Sequence, residues 1–112
     1  MEMEIEKSLS LEDGNHTGVI TTVEYRTEPY KYTDLVIKDD VTGFEIKYGC
    51  PTNASESSKL MKTVAEFTKL EVGKTVDIDK IFIGKKVSFM TLKEAKDGYT
   101  RVVSGSVKPL WI

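Results

Sequence analysis

Three runs rich in β-branched and aromatic residues lie between His16 and Cys50, and two more lie between Lys85 and Lys108. Only once, from Ser55 to about Leu70, does the apolar spacing change to that of a helix. Successive side chains of a strand point to opposite faces, so such runs fold into a sheet with one side buried. The first run, His16 to Arg26, breaks its own alternation: Val19, Ile20, Val23 and Tyr25 do not share one parity, and Gly18 is close by. That slip predicts a long, bent or bulged strand serving two sheet faces. The second run, Tyr30 to Asp39, turns Thr33, Leu35 and Ile37 inward and Tyr32, Asp34, Val36 and Lys38 outward. The third, Phe44 to Cys50, gathers Phe44, Ile46 and Tyr48 on one face.

Turn residues separate these runs. Asp13-Gly14-Asn15, Thr27-Glu28-Pro29, Asp39 to Gly43 and Ala95 to Gly98 each carry the residues that tight reversals favour. Ser55 or Ser57 caps the helix, whose Leu60, Val64 and Phe67 form an apolar stripe widened by Met61. Lys59, Lys62, Glu66 and Lys69 make its solvated face. Asp77 to Phe82 reads equally as a short helical turn or an extended link. Lys85 to Glu94 is the fourth strand and Tyr99 to Lys108 the fifth, ended by Pro109. Ahead of all this, residues 1–12 form an acidic leader in which Met1, Met3, Ile5, Leu9 and Leu11 alternate with polar residues, as an extra strand would. Residues 13–112 then make a single domain, consistent with a chain of 112 residues.

Three strands, a helix, and a closing pair of strands is the connectivity of the OB-fold. The expected class is therefore all-β: a five-stranded Greek-key barrel with a helix between strands three and four, plus the N-terminal strand.

Composition narrows the chemistry. One cysteine (Cys50) allows no internal disulfide, and one histidine (His16) allows no His-pair metal site. No nucleophile motif accompanies His16, so no enzyme, cofactor or metal is expected. Cys50 reads as an inert thiol, and Asp77 and Asp79 lack the remaining ligands of a calcium loop. No run approaches the ~18 apolar residues of a membrane span, so a cytoplasmic protein without membrane contact is expected. Net charge is -2, unevenly spread: residues 1–14 hold five acidic side chains and one basic, residues 85–112 six basic and two acidic. A basic tail third is compatible with a locally bound anionic partner.

The sequence resembles a group of small phage and prophage-type single-stranded-DNA-binding OB-fold proteins. The likeness rests on Asp13 to Ile20 (DGNHTGVI), Tyr30 to Asp34 (YKYTD) and Ile46 to Pro51 (IKYGCP). It continues through Ser58-Lys59-Leu60, Leu70 to Lys74 (LEVGK), Gly84 to Phe89 (GKKVSF) and Val107 to Leu110 (VKPL). It implies binding of single-stranded DNA without sequence preference, as an accessory to replication or recombination proteins. The chain departs from the group in ending Pro109-Leu110-Trp111-Ile112, with no acidic C-terminal tail.

Single-strand binding needs cations along the phosphates and aromatic faces on which bases stack. OB-folds carry these on the outer face of strands two and three and on the loops joining strands one to two and four to five. There the sequence offers Arg26, Lys31, Lys38, Lys47, Lys93, Lys96 and Arg101 for phosphates, and Tyr30, Tyr32 and Tyr99 for bases, DNA or RNA. Tyr25, Phe44, Tyr48, Phe82 and Phe89 are assigned to the core or its edge. The alternative is an OB-fold interaction module without nucleic acid, an adaptor or a homodimer paired through the N-terminal strand.

Overall fold

A computed structural model describes residues 1–3, 11–95 and 98–110. Strand β1 spans Gly14–Arg26, β2 Tyr32–Asp39 and β3 Glu45–Pro51. Two helices follow, α1 at Lys59–Phe67 and α2 at Ile78–Phe82, then β4 at Lys86–Lys93, β5 at Thr100–Val102 and β6 at Lys108–Pro109. The strands form one antiparallel sheet in the order β3-β2-β1-β4-β5, with β6 also pairing β4.

The sheet curls because β1 serves both halves of it. Its first part pairs β4 from Gly14↔Thr91 to Val19↔Lys86, and its remainder pairs β2 from Gly18↔Asp39 to Arg26↔Tyr32. A register shift between Ile20 and Thr22 is the bulge that the broken alternation implies. At Gly18 the strands approach so closely that a Cβ would lie 2.5 Å from the Lys38 carbonyl oxygen. The curl brings β3 against β5 at the far ends of the sheet. There the Tyr48 hydroxyl accepts a hydrogen bond from the Gly105 amide at 3.0 Å.

Inside the curve lie Ile20, Leu35, Ile37, Ile46, Tyr48 and Cys50, with Val87, Phe89, Val102 and Val107 from the second half. α1 closes this core with Leu60, Met61 and Val64, and Phe67 meets the buried Phe82 of α2 edge to face at 5.0 Å. Ser58, rather than Ser55 or Ser57, caps α1: its Oγ accepts from the Met61 amide at 3.1 Å and donates to the Asn53 carbonyl at 2.8 Å. Asp77 caps α2, so the segment that read either way is a helical turn.

The fifth strand expected from Tyr99 to Lys108 is split into β5 and β6. Gly105 adopts φ +79°, and the Ser106 hydroxyl takes a ladder position, accepting from the Met90 amide at 3.1 Å and donating to the Val103 carbonyl at 2.6 Å. A side-chain oxygen thus replaces a backbone carbonyl, and the chain bulges away from β4 before rejoining it. Tyr25 is not a core residue: it is 56% exposed and its hydroxyl donates to Asp79 Oδ1 at 2.9 Å. Of the leader expected as a strand over residues 1–12, Leu11 is buried against the sheet, Met1 and Met3 are exposed, and residues 4–10 lie outside the described residues. Trp111 likewise lies outside them.

Candidate nucleic-acid interface

The outward face of β1, β2 and β3 is built in rows by the strand register. Arg26, Tyr32 and Pro51 form one row, Glu24, Asp34 and Gly49 the next, and Thr22, Val36 and Lys47 a third. Arg26, Asp34, Lys47 and Gly49 line a shallow depression of about 340 Å³ in this face. Three of the expected site residues, Arg26, Tyr32 and Lys47, therefore come together.

Their charges are already engaged. The Arg26 guanidinium donates twice to Asp34, Nε to Oδ2 at 2.5 Å and Nη2 to Oδ1 at 3.0 Å, and its Cζ stands 4.8 Å from the Tyr32 ring centroid. Asp34, expected to face solvent, is buried with only 2% of its surface exposed. A carboxylate removed from water needs such a bidentate partner, and Arg26 supplies it while covering Asp34 from outside. Lys47 Nζ donates to Glu24 Oε2 at 2.8 Å, and that hydrogen bond holds its ammonium above the usual lysine range. The Lys47 and Glu24 side chains are both about half exposed, so this pair exchanges readily with water or another anion.

Of the other expected residues, some lie toward one or the other end of β1, and Lys38 stands beside its middle. Tyr30, 73% exposed, and Lys31 lie in the loop after Arg26, where the Lys31 carbonyl accepts from the Thr52 amide at 3.0 Å. Lys38 lies at the opposite end of β2, paired in register with Val19 and Glu45. Lys93, Tyr99 and Arg101 belong to the β4–β5 reversal, beyond the Gly14 end of β1; Tyr99 is 69% exposed and Arg101 Nε approaches Glu94 Oε1 at 3.4 Å. At about 3.3 Å per residue, the two groups stand roughly 40 Å apart measured along β1. Lys47 sits between them in the register. Lys96 lies outside the described residues.

Four residues that shape this region escaped the sequence. Asp34 and Glu24 neutralise the cations, a pairing visible only once the register is known. Lys59, assigned to the solvated helix face, instead lies 4.5 Å from the Tyr48 ring centroid and donates to the Gly49 carbonyl at 2.9 Å, tying α1 to the strand under the depression. The alternation of Ile46-Lys47-Tyr48-Gly49 could have signalled Gly49, because a glycine within a strand marks close approach. Burial pushes the Cys50 thiol up, which keeps it protonated and unreactive.

A larger groove of about 800 Å³ opens elsewhere, lined by Tyr25, Leu60, Met61, Leu70, Val76 and Ile78 among others. Among the described residues no group of three or more His, Cys, Asp or Glu side chains could hold a metal ion, and no helix is long and apolar enough to cross a membrane. Comparison with protein-family models and with curated proteins finds no match to this chain.

Proposed function

We propose that this chain is an OB-fold barrel that binds single-stranded nucleic acid, DNA in the first instance, without sequence preference. Support for the fold comes from the element order, from the β1–β2–β3 meander with a helix before β4, from the β1–β4 pairing and from the contact between β3 and β5. Support for the function comes chiefly from one observation: Arg26 and Lys47 line one depression on the outward β1–β2–β3 face, and the Arg26 guanidinium lies over the Tyr32 ring, its Cζ 4.8 Å from the centroid, so a cation and an aromatic ring meet there. Exposed Tyr30 extends that surface from the adjoining loop. The assignment to replication or recombination rests on the sequence resemblance.

The pairing of Lys47 with Glu24 and of Arg26 with Asp34 favours the alternative, an interaction module without nucleic acid, because a phosphate must compete with both carboxylates. Fluorescence anisotropy of a labelled oligo-dT at low and moderate salt, with the matching duplex as control, separates the two readings. Preference for the single strand is expected, with log affinity falling as log salt by about 0.7 per phosphate contacted. Tyr32→Ala weakens binding by about 1–3 kcal/mol, and Lys47→Glu lowers the salt slope by about 0.7. No binding at low salt removes the nucleic-acid reading.

A further inference from the structure

Arg26 is unsuited to the phosphate contact that its charge implies. Both of its donors toward Asp34 are spent in a bidentate pair with a carboxylate whose side chain is only 3% exposed, while 46% of the Arg26 side chain stays open to solvent. The positive charge is balanced where it stands, and a phosphate approaching it also meets the Asp34 charge. Two of the five N–H donors are spent in this way; the other three remain, along with the plane of the guanidinium, whose Cζ lies 4.8 Å from the Tyr32 ring centroid. A guanidinium plane is a surface on which an unpaired base stacks, and a pinned one loses little side-chain freedom in doing so.

Gly49 makes this arrangement sterically possible. A Cβ there would lie 2.8 Å from Asp34 Oδ1, 3.3 Å from Tyr32 Cδ2 and 3.6 Å from Arg26 Nη2, so any side chain would collide with Asp34, crowd Tyr32 and come into contact with Arg26. The register sets Gly49 directly opposite Asp34. A buried carboxylate, a planar cation, an aromatic ring and a residue with no side chain thus form one built unit.

We infer that Arg26, locked by Asp34 over Tyr32, is a base-stacking shelf for one unpaired nucleobase rather than a phosphate ligand. This rests on the single-strand reading above and assigns Arg26 a role different from the one its charge implied in the sequence.

The test compares oligo-dT with an abasic strand of the same length, which keeps the phosphates and lacks the bases. Wild-type protein binds oligo-dT more tightly than the abasic strand. Arg26→Lys keeps the charge and removes the plane: affinity for oligo-dT falls about tenfold, with abasic affinity and the salt slope unchanged. Equal losses on both strands, a slope lower by about 0.7, or no loss on oligo-dT would overturn the assignment. Asp34→Asn is the second variant, and it carries the test if Arg26→Lys melts early. With the carboxylate charge gone, Arg26 attracts phosphate, so abasic binding strengthens and the slope steepens; an unchanged slope overturns the role of Asp34 as the lock. Wild-type protein that binds neither strand fails the interface reading itself, an outcome distinct from any variant result.

Discussion

Asp39, at the end of β2, keeps its charge although only 3% of its surface is exposed. Burial alone favours the protonated acid. The Thr42 amide and hydroxyl, at 2.8 and 2.9 Å, and the Val41 amide at 3.1 Å outweigh it, with His16 Nδ1 3.6 Å from the other oxygen. The carboxyl is held below the usual aspartate range as a result. In the acid range the unfolded chain then binds a proton more readily than the folded one. The stabilisation from Asp39 is complete above the ordinary value near ~3.9 and is lost as pH falls through the lower folded value. Asp39→Asn is therefore expected to cost about 1–2 kcal/mol at neutral pH. Urea unfolding of both proteins across pH checks this: the gap should shrink on acidification below pH ~4, and a gap that does not change with pH contradicts it. His16 takes part in a second local network. Its Nε2 lies 2.7 Å from the Glu12 carbonyl oxygen and 2.9 Å from Thr91 Oγ1, while Thr91 Oγ1 donates to that same carbonyl. These bonds fasten the chain entering β1 to β4. Nothing in the sequence signals this network, because the partners of His16 are up to 75 positions distant.

Strand β1 is the element on which the architecture turns, since it alone joins the two halves of the sheet. Its coil depends on Gly18, where an added Cβ would meet the Lys38 carbonyl oxygen at 2.5 Å, the Lys38 carbonyl carbon at 3.1 Å and Ile37 Cγ2 at 3.0 Å. Two of these are backbone atoms and cannot rotate away. Gly18→Ala is expected to destabilise the fold by about 3 kcal/mol through forced separation of β1 and β2. Thermal unfolding measures this, and a change below about 0.5 kcal/mol would show that β1 does not cross β2 so closely. The bend was legible beforehand in the parity slip of Val19, Ile20 and Val23 beside a glycine. The α1 stripe was legible too, because Leu60 and Val64 recur at helical spacing and are buried. The split of the last strand was half legible: Gly105 within a β-branched run signals a bulge, but the substitution of the Ser106 hydroxyl for a backbone acceptor depends on Met90, which the register delivers. Asp34 and Val36 alternate as outward residues and still lie buried, at 2% and 3% exposure. Alternation assigns a side chain to a face, whereas coverage of that face by Arg26 and its neighbours follows only from how the strands are juxtaposed.

Across the whole molecule, acidic residues concentrate before β1 and basic ones after residue 85. The central sheet face carries cations matched by carboxylates. Long-range attraction of a polyanion is therefore weak for a chain of net charge -2, and under the proposed function selectivity for unpaired bases has to come from the Tyr32–Arg26 stack. The basic and aromatic residues at the two ends of β1 lie too far apart along the strand to grip one nucleotide together. A single strand reaching both would run along β1, with Lys47 to one side on β3 in the row of Thr22 and Val36. Amide chemical shifts of the isotope-labelled chain, recorded during titration with oligo-dT, test this path most directly. The largest changes are expected at Arg26, Tyr32, Lys47 and Gly49, with smaller ones at Tyr30 and Lys31. Changes confined to the groove around Leu60, Leu70 and Ile78, or absent altogether, would contradict this path.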